Sequence, residues 1–327
     1  MASNKTASPK PEVQRDSRLP LVAAPRLVPA AGYRGSLRSV LVGPSVTPRL
    51  MCSPAILVFD SGVGGLTVLR ELRRQLPGER LVYLADLAHF PYGPRYQEEV
   101  RGFAHRIIEH LSSLDVKLVV IACNTATAAA LQSARELFDV PVLGVIAPGA
   151  QAAVQHTRNG RVAVISTEGT FASQQYLHAI KDANPGVGVL AKAAPDLVDI
   201  VEQGEADTPR AEESLRAHLA EVFDWGADTL VLGCTHYPVL RPALARVVGR
   251  RLRVVDSAET TAARVKRILR VNRLESGDAD APPPRLLTTA EPERFARIAS
   301  VFYGEPVAPP EVVTLWAEPP QALRRPA

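Results

Sequence analysis

Cysteine is scarce in this 327-residue chain: Cys52, Cys123 and Cys234 are too few and too widely spaced for a disulfide framework. Free thiols and a reducing compartment, the cytoplasm, follow as expectations. Long apolar runs are missing as well. No stretch approaches the roughly 18 residues of a membrane span, and 46% hydrophobic with 22% charged residues describes a soluble globular protein. Nucleotide signatures are also lacking. The glycine-rich turn at 60–65 (DSGVGG) has neither the Gly-Lys-Ser/Thr of a Walker A loop nor a dinucleotide fingerprint. Its leading Asp60 would repel a pyrophosphate, so a small substrate is expected there rather than a nucleotide.

Charge is unevenly placed. Residues 1–50 hold eight Lys or Arg against Glu12 and Asp16, a local charge of +6, which leaves −2 for the rest of a chain whose net charge is +4. A slightly acidic core has no global electrostatic reason to bind nucleic acid. Eight prolines and the lack of a helical or strand period mark residues 1–54 as a disordered basic extension, loosely like a transit peptide, or as sequence ahead of a working start at Met51. Cys52 is expected to be inert.

Beyond that point apolar runs alternate with helical patterns, the signature of an α/β protein with parallel sheets. Expected strands are 55–59, 81–85, the run before Cys123, 141–146, 161–165, a weaker one at 187–190, the run before Cys234, 252–255, 286–289 and 312–315. Expected helices include 96–114, 209–225 and 258–271, with a short helical segment at 195–204.

The two remaining cysteines share a context. In LVLGCTHYP at 230–238 and KLVVIACNTA at 117–126, an apolar strand runs out and Cys, Thr, His or Asn side chains emerge at its carboxyl end. Open α/β sheets bind ligands at that end. A free Cys is often just a small core hydrophobe, but two in matching places suggest chemistry. The 60–65 turn can present backbone N–H groups to an anion. In the next loop Tyr92 serves equally as plug or ligand contact, and hydroxyls at 166–173 serve as helix caps.

Three chemistries fit Cys123, Cys234, His236 and Asp60. Zinc suits thiolates and imidazole, but no C-x2-C spacing or fourth ligand is present. A Cys nucleophile with His236 as base and Asp60 as orienter explains one thiol and leaves the other idle. Proton transfer at a carbon centre uses both: one thiolate removes the α-proton and the opposite thiol returns one, with Asp60 and His236 tuning them.

The chain resembles the PLP-independent glutamate racemases of the aspartate/glutamate racemase superfamily. The resemblance rests on FDSGVGGLTVLREL at 59–72, PYGPR at 91–95, ACNTATA at 122–128 and GCTHYP at 233–238, in that order. It implies two pseudo-symmetric flavodoxin-like domains with parallel sheets and the active site in the cleft between them. The first would comprise 55–150 plus 259–327, the second 151–258. Cys123 would take the α-proton of D-glutamate and Cys234 that of L-glutamate, assisted by Asp60 and His236 respectively, with Glu202 a further catalytic carboxylate. Asp60, Ser61, Tyr92, Gly93, Asn124, Thr125, Thr235 and His236 match substrate-contact positions. The implied protein needs no cofactor or metal, forms a homodimer, and supplies D-glutamate for peptidoglycan. Leu87, Ser166 and Ala194 depart from the usual Thr, Gly and Cys, and the basic extension has no family counterpart. An aspartate racemase, or a regulatory or nucleic-acid-binding protein with a vestigial site, are the alternatives.

Overall fold

A computed structural model describes residues 53–316. The expectations for the basic extension up to residue 52, and for Cys52, fall outside them. In chain order the elements are β1 (Ala55–Asp60), α1 (Leu66–Gln75), β2 (Leu81–Ala85), α2 (Gln97–Leu111), β3 (Val116–Ile121), α3 (Asn124–Leu137), β4 (Val142–Gly144) and α4 (Ile146–His156). Then follow β5 (Arg161–Ser166), α5 (Glu168–Ser173), α6 (Gln175–Ala183), β6 (Gly188–Ala193), α7 (Asp196–Glu202), α8 (Pro209–Asp224) and β7 (Thr229–Gly233). Last come α9 (Arg241–Val248), β8 (Arg253–Asp256), α10 (Ala258–Asn272), β9 (Arg285–Thr288), α11 (Pro292–Tyr303) and β10 (Glu311–Val312).

The strands form two all-parallel sheets, ordered β10-β9-β2-β1-β3-β4 and β6-β5-β7-β8. Both share one plan, in which the third strand of each half lies beside the first. Helices cover both faces, so strands such as AILVF read as continuous apolar runs. Alternate residues still serve different cores: Ile56 and Val58 pack on one side of β1, Leu57 and Phe59 on the other. In the second sheet, Leu230 and Leu232 face the cluster that also takes in Ile56 and Val58, whereas Val231 faces α4 and α6 through Ile146 and Ile180.

Three strand expectations shift. The strand expected at 141–146 spans only 142–144, because Val145 already takes helical backbone angles as the N-cap of α4 and Ile146 is its first residue. The weak strand at 187–190 extends to Ala193; β6 is an edge strand, only half-buried along its length, so its apolar signal is thin. The last strand is two residues, 311–312, rather than 312–315; beyond it Val313, Leu315 and Trp316 pack into the core beside α2 and β3 while Thr314 stays exposed.

The fully buried Leu230 of β7 is central to the second sheet. Leu230→Ala is expected to cost ~2–5 kcal/mol of stability in urea unfolding. Val312→Ala, at an exposed sheet edge, should stay within ~0.5 kcal/mol.

Candidate active site

In each sheet the chain reverses its direction of winding between two neighbouring strands, β1 and β3 in the first, β5 and β7 in the second. Side chains just beyond the carboxyl ends of such strands converge on a crevice. Asp60 ends β1, Cys123 follows β3, and Cys234 follows β7. Cys123 and Cys234 are both buried and line the same small cavity, about 20 Å³, with Ser61, Tyr92, Gly93, Asn124, Thr125, Thr235 and His236. Asp60 and Glu202 do not line it; they stand behind the wall.

Asp60 has no solvent exposure. Its Oδ1 accepts from the backbone N–H of Ser61 at 2.8 Å, and its Oδ2 accepts from the N–H of Gly65 at 2.6 Å and the Thr235 hydroxyl at 3.0 Å. Two N–H groups of the glycine-rich turn, expected to meet a bound anion, therefore serve the chain's own carboxylate. Gly64 is required here: a Cβ would collide with Thr235 Oγ1 and lie 2.7 Å from His236 Nδ1. The turn presses so closely on the end of β7 that no side chain fits between.

The two thiols sit in different fields. Cys123 caps α3, its Sγ accepting from Ala126 N–H at 3.5 Å. Burial, and then the Asp60 carboxylate, push its pKa well above the ordinary thiol value. Beyond Cys234, His236 Nε2 lies 2.8 Å from Glu202 Oε1. Burial alone would depress the His236 pKa, but Cys234 and Glu202 outweigh it and raise it to about 10. Glu202 is likewise opposed by burial, yet His236 and Arg294 hold it below the usual carboxylate range. The hydrolase arrangement weighed above made Asp60 the partner of His236; the geometry gives that place to Glu202.

Asn124 accepts from the Tyr176 hydroxyl through Oδ1 at 2.8 Å, while its buried Nδ2 has no hydrogen-bond partner among the described residues. A buried donor left unpaired costs ~1–3 kcal/mol, which an acceptor in the cavity would recover. Tyr92 is both plug and lining: its ring faces the cavity and its hydroxyl donates to Asp86 Oδ2 at 2.6 Å. Asp86 also meets His89 Nδ1 at 2.8 Å, the Thr289 hydroxyl at 2.8 Å and Trp316 Nε1–H at 3.1 Å. Across the cleft, Thr125 Oγ1 lies 2.9 Å from Thr167 Oγ1, and Gly169 N–H donates to Gly93 O at 2.9 Å.

Sequence reasoning missed Phe90 and Val198 as lining residues, and Asp86 and Arg294 as supports. Thr167 was legible only as a cap; it occupies that position on α5, but its side chain makes no capping bond and turns toward Thr125 instead. Leu87 and Ala194 are buried in the core, and Ser166 Oγ donates to Thr167 O, so none of the three departures lines the cavity. Among the described residues no three His, Cys, Asp or Glu side chains gather as metal ligands. No helix there is long and apolar enough to cross a membrane.

A family model described as Asp/Glu/hydantoin racemase matches residues 56–265. The glutamate racemase of Geobacter metallireducens is 42% identical over 264 residues, covering 81% of this chain and 98% of that one. Among solved structures, a glutamate racemase isoform of Bacillus anthracis superposes with a TM-score of 0.75 at 38% identity, covering 80% of this chain and 96% of the other. The Francisella tularensis glutamate racemase, solved in complex with D-glutamate, gives 0.75 at 29% identity and covers 80% and 98%. A paired-thiol cleft between like sheets and relatives matched over nearly their whole length leave one assignment: the chain belongs to the Asp/Glu/hydantoin racemase family.

Proposed function

We propose that this chain interconverts L- and D-glutamate by cofactor-independent proton transfer at Cα, with Cys123 and Cys234 as the two bases. The observation that carries the reading is the pair of thiols at equivalent strand ends, lining one cavity from opposite sheets. In the proposed reaction Cys123 removes the α-proton of D-glutamate and Cys234 returns one to the other face; the roles reverse for L-glutamate. A planar carbanionic intermediate between the thiols is what allows inversion. Glutamate as the substrate is supported by the names of the relatives, including one solved with D-glutamate. Asn124 supports it too, since its unpaired amide N–H suits a substrate carboxylate.

The flanking groups supply the electrostatics. His236, held by Glu202 and adjacent to Cys234, is placed to exchange a proton with that thiol. Asp60 disfavours a thiolate at Cys123, so that thiol is the proton donor at rest. Division into domains of 55–150 plus 259–327 and 151–258 belongs to the same proposal, supported by the strands of the two sheets, which come from these two stretches. So does a cytoplasmic homodimer supplying D-glutamate for peptidoglycan. The scarcity of thiols supports the compartment, and sedimentation velocity reads the assembly.

Cys123→Ala and Cys234→Ala should each lower inversion by ~10²–10⁴-fold or more. In deuterated water, Cys234→Ala should still exchange the α-proton of D-glutamate, and Cys123→Ala that of L-glutamate, without inversion. Two-way inversion by either variant at the wild-type rate would overturn the mechanism.

His236 also predicts a pH dependence of stability. Its folded pKa of about 10 lies above the ordinary ~6.5. Its contribution is therefore present in full below ~pH 6.5 and lost as pH rises through about 10. The gap in unfolding free energy between wild type and His236→Asn should narrow from neutral pH towards pH 10.5, and a gap that widens would contradict the imidazolium.

A further inference from the structure

We infer that Arg294 is a positioning residue for the Cys234 half of the site, acting through Glu202 on His236. This rests on the proposed two-thiol reaction. Arg294 lies on α11, which packs against the first sheet through Phe295, whereas Glu202 ends α7 and His236 follows β7 in the second half. Its Nη2 donates to Glu202 Oε2 at 3.0 Å, and the other oxygen of that carboxylate lies 2.8 Å from His236 Nε2. Each carboxylate oxygen thus has one cation-bearing partner, and the side chain cannot rotate without losing both.

Glu202 needs such a restraint. It is the last residue of a seven-residue helix, and the bonds that close that helix from Gln203, Gly204 and Glu205 fix its backbone but not its partly exposed carboxylate. The guanidinium also lies over the Phe90 ring, 4.8 Å from its centroid, and Phe90 faces the His236 ring at 5.7 Å. Arg294 therefore holds both a carboxylate and an aromatic ring that touch His236. Phe302, also on α11, closes the histidine's remaining flank at 5.1 Å.

The placement of Arg294 goes against a local rule. It is the third residue of α11, where the helix dipole favours anions over cations. Glu291, at the N-cap, accepts a second bond from its Nη1 at 3.1 Å and helps to offset this. A residue set against local preference and compensated by specific partners is expected where function demands the geometry. The alternative is a simple latch between the halves. A latch would affect both thiols alike; a positioning role affects Cys234 alone.

The test uses the full chain with Arg294→Met, Arg294→Lys, Glu202→Gln and the Arg294→Met/Glu202→Gln double variant. Two quantities are read: glutamate racemisation, and alkylation of each thiol by iodoacetamide at neutral pH, followed by peptide mass spectrometry. Arg294→Met should lower kcat ~10-fold with KM within ~2-fold, and slow alkylation of Cys234 relative to Cys123 by a similar factor. Arg294→Lys should recover part of both losses. The double variant should lose no more than Glu202→Gln alone, because the two residues act as one unit. An unchanged alkylation ratio in Arg294→Met, or losses that multiply in the double variant, would overturn the assignment. Alkylation needs no turnover, so wild-type protein inert towards glutamate would defeat the proposed reaction while the ratio still decides the role of Arg294.

Discussion

The carboxylate of Asp60 is the point on which the site depends. A buried charge is tolerable only when its lone pairs are filled, and Asp60 fills them from three directions: Ser61 and Gly65 of its own turn, and Thr235 from the end of the other sheet. The last bond fixes how closely the two strand ends approach. Gly64 follows from the same constraint, since any side chain there would separate Asp60 from Thr235 and push His236 out of place. Asp60 therefore need not touch a substrate to matter; it sets the distance between the halves and the field at Cys123.

The two halves share a strand order yet are electrically unlike. Cys123 faces a carboxylate and a helix N-terminus, Cys234 an imidazole tied to a carboxylate and an arginine. Proton transfer between opposite faces of a carbon uses one group as base and the other as acid, and this inequality separates the two roles. Two equal thiols could hold one proton between them but would not favour either as its owner. Topological symmetry places the groups, and broken symmetry in their neighbours gives them direction.

Much of this was legible in the sequence because it is local. The runs ending at Asp60, Cys123 and Cys234 announce buried parallel strands, and what emerges at their ends is visible without coordinates. The edge strand β6 was read short because half-burial weakens the apolar pattern. Supports were harder to see. Glu202 entered only through family likeness, since a carboxylate on a short helix is ordinarily solvated, and its partners lie 34 and 92 residues away. Asp86 gathers donors from Tyr92, Thr289 and Trp316, the last 230 residues distant. No periodicity encodes such meetings; they arise when α11 and the C-terminal strands fold back on the first sheet.

The size of the cavity has a kinetic corollary. At about 20 Å³ it has room for about one water molecule, far less than an amino acid occupies. The Gly93–Gly169 hydrogen bond and the Thr125–Thr167 contact span its outer wall, joining the PYG turn to the start of α5. An amino acid entering this cavity would have to part these clasps. Gating of this kind ties the rate of capture and release to separation of the halves, a motion shared by both enantiomers and indifferent to which thiol is ionised.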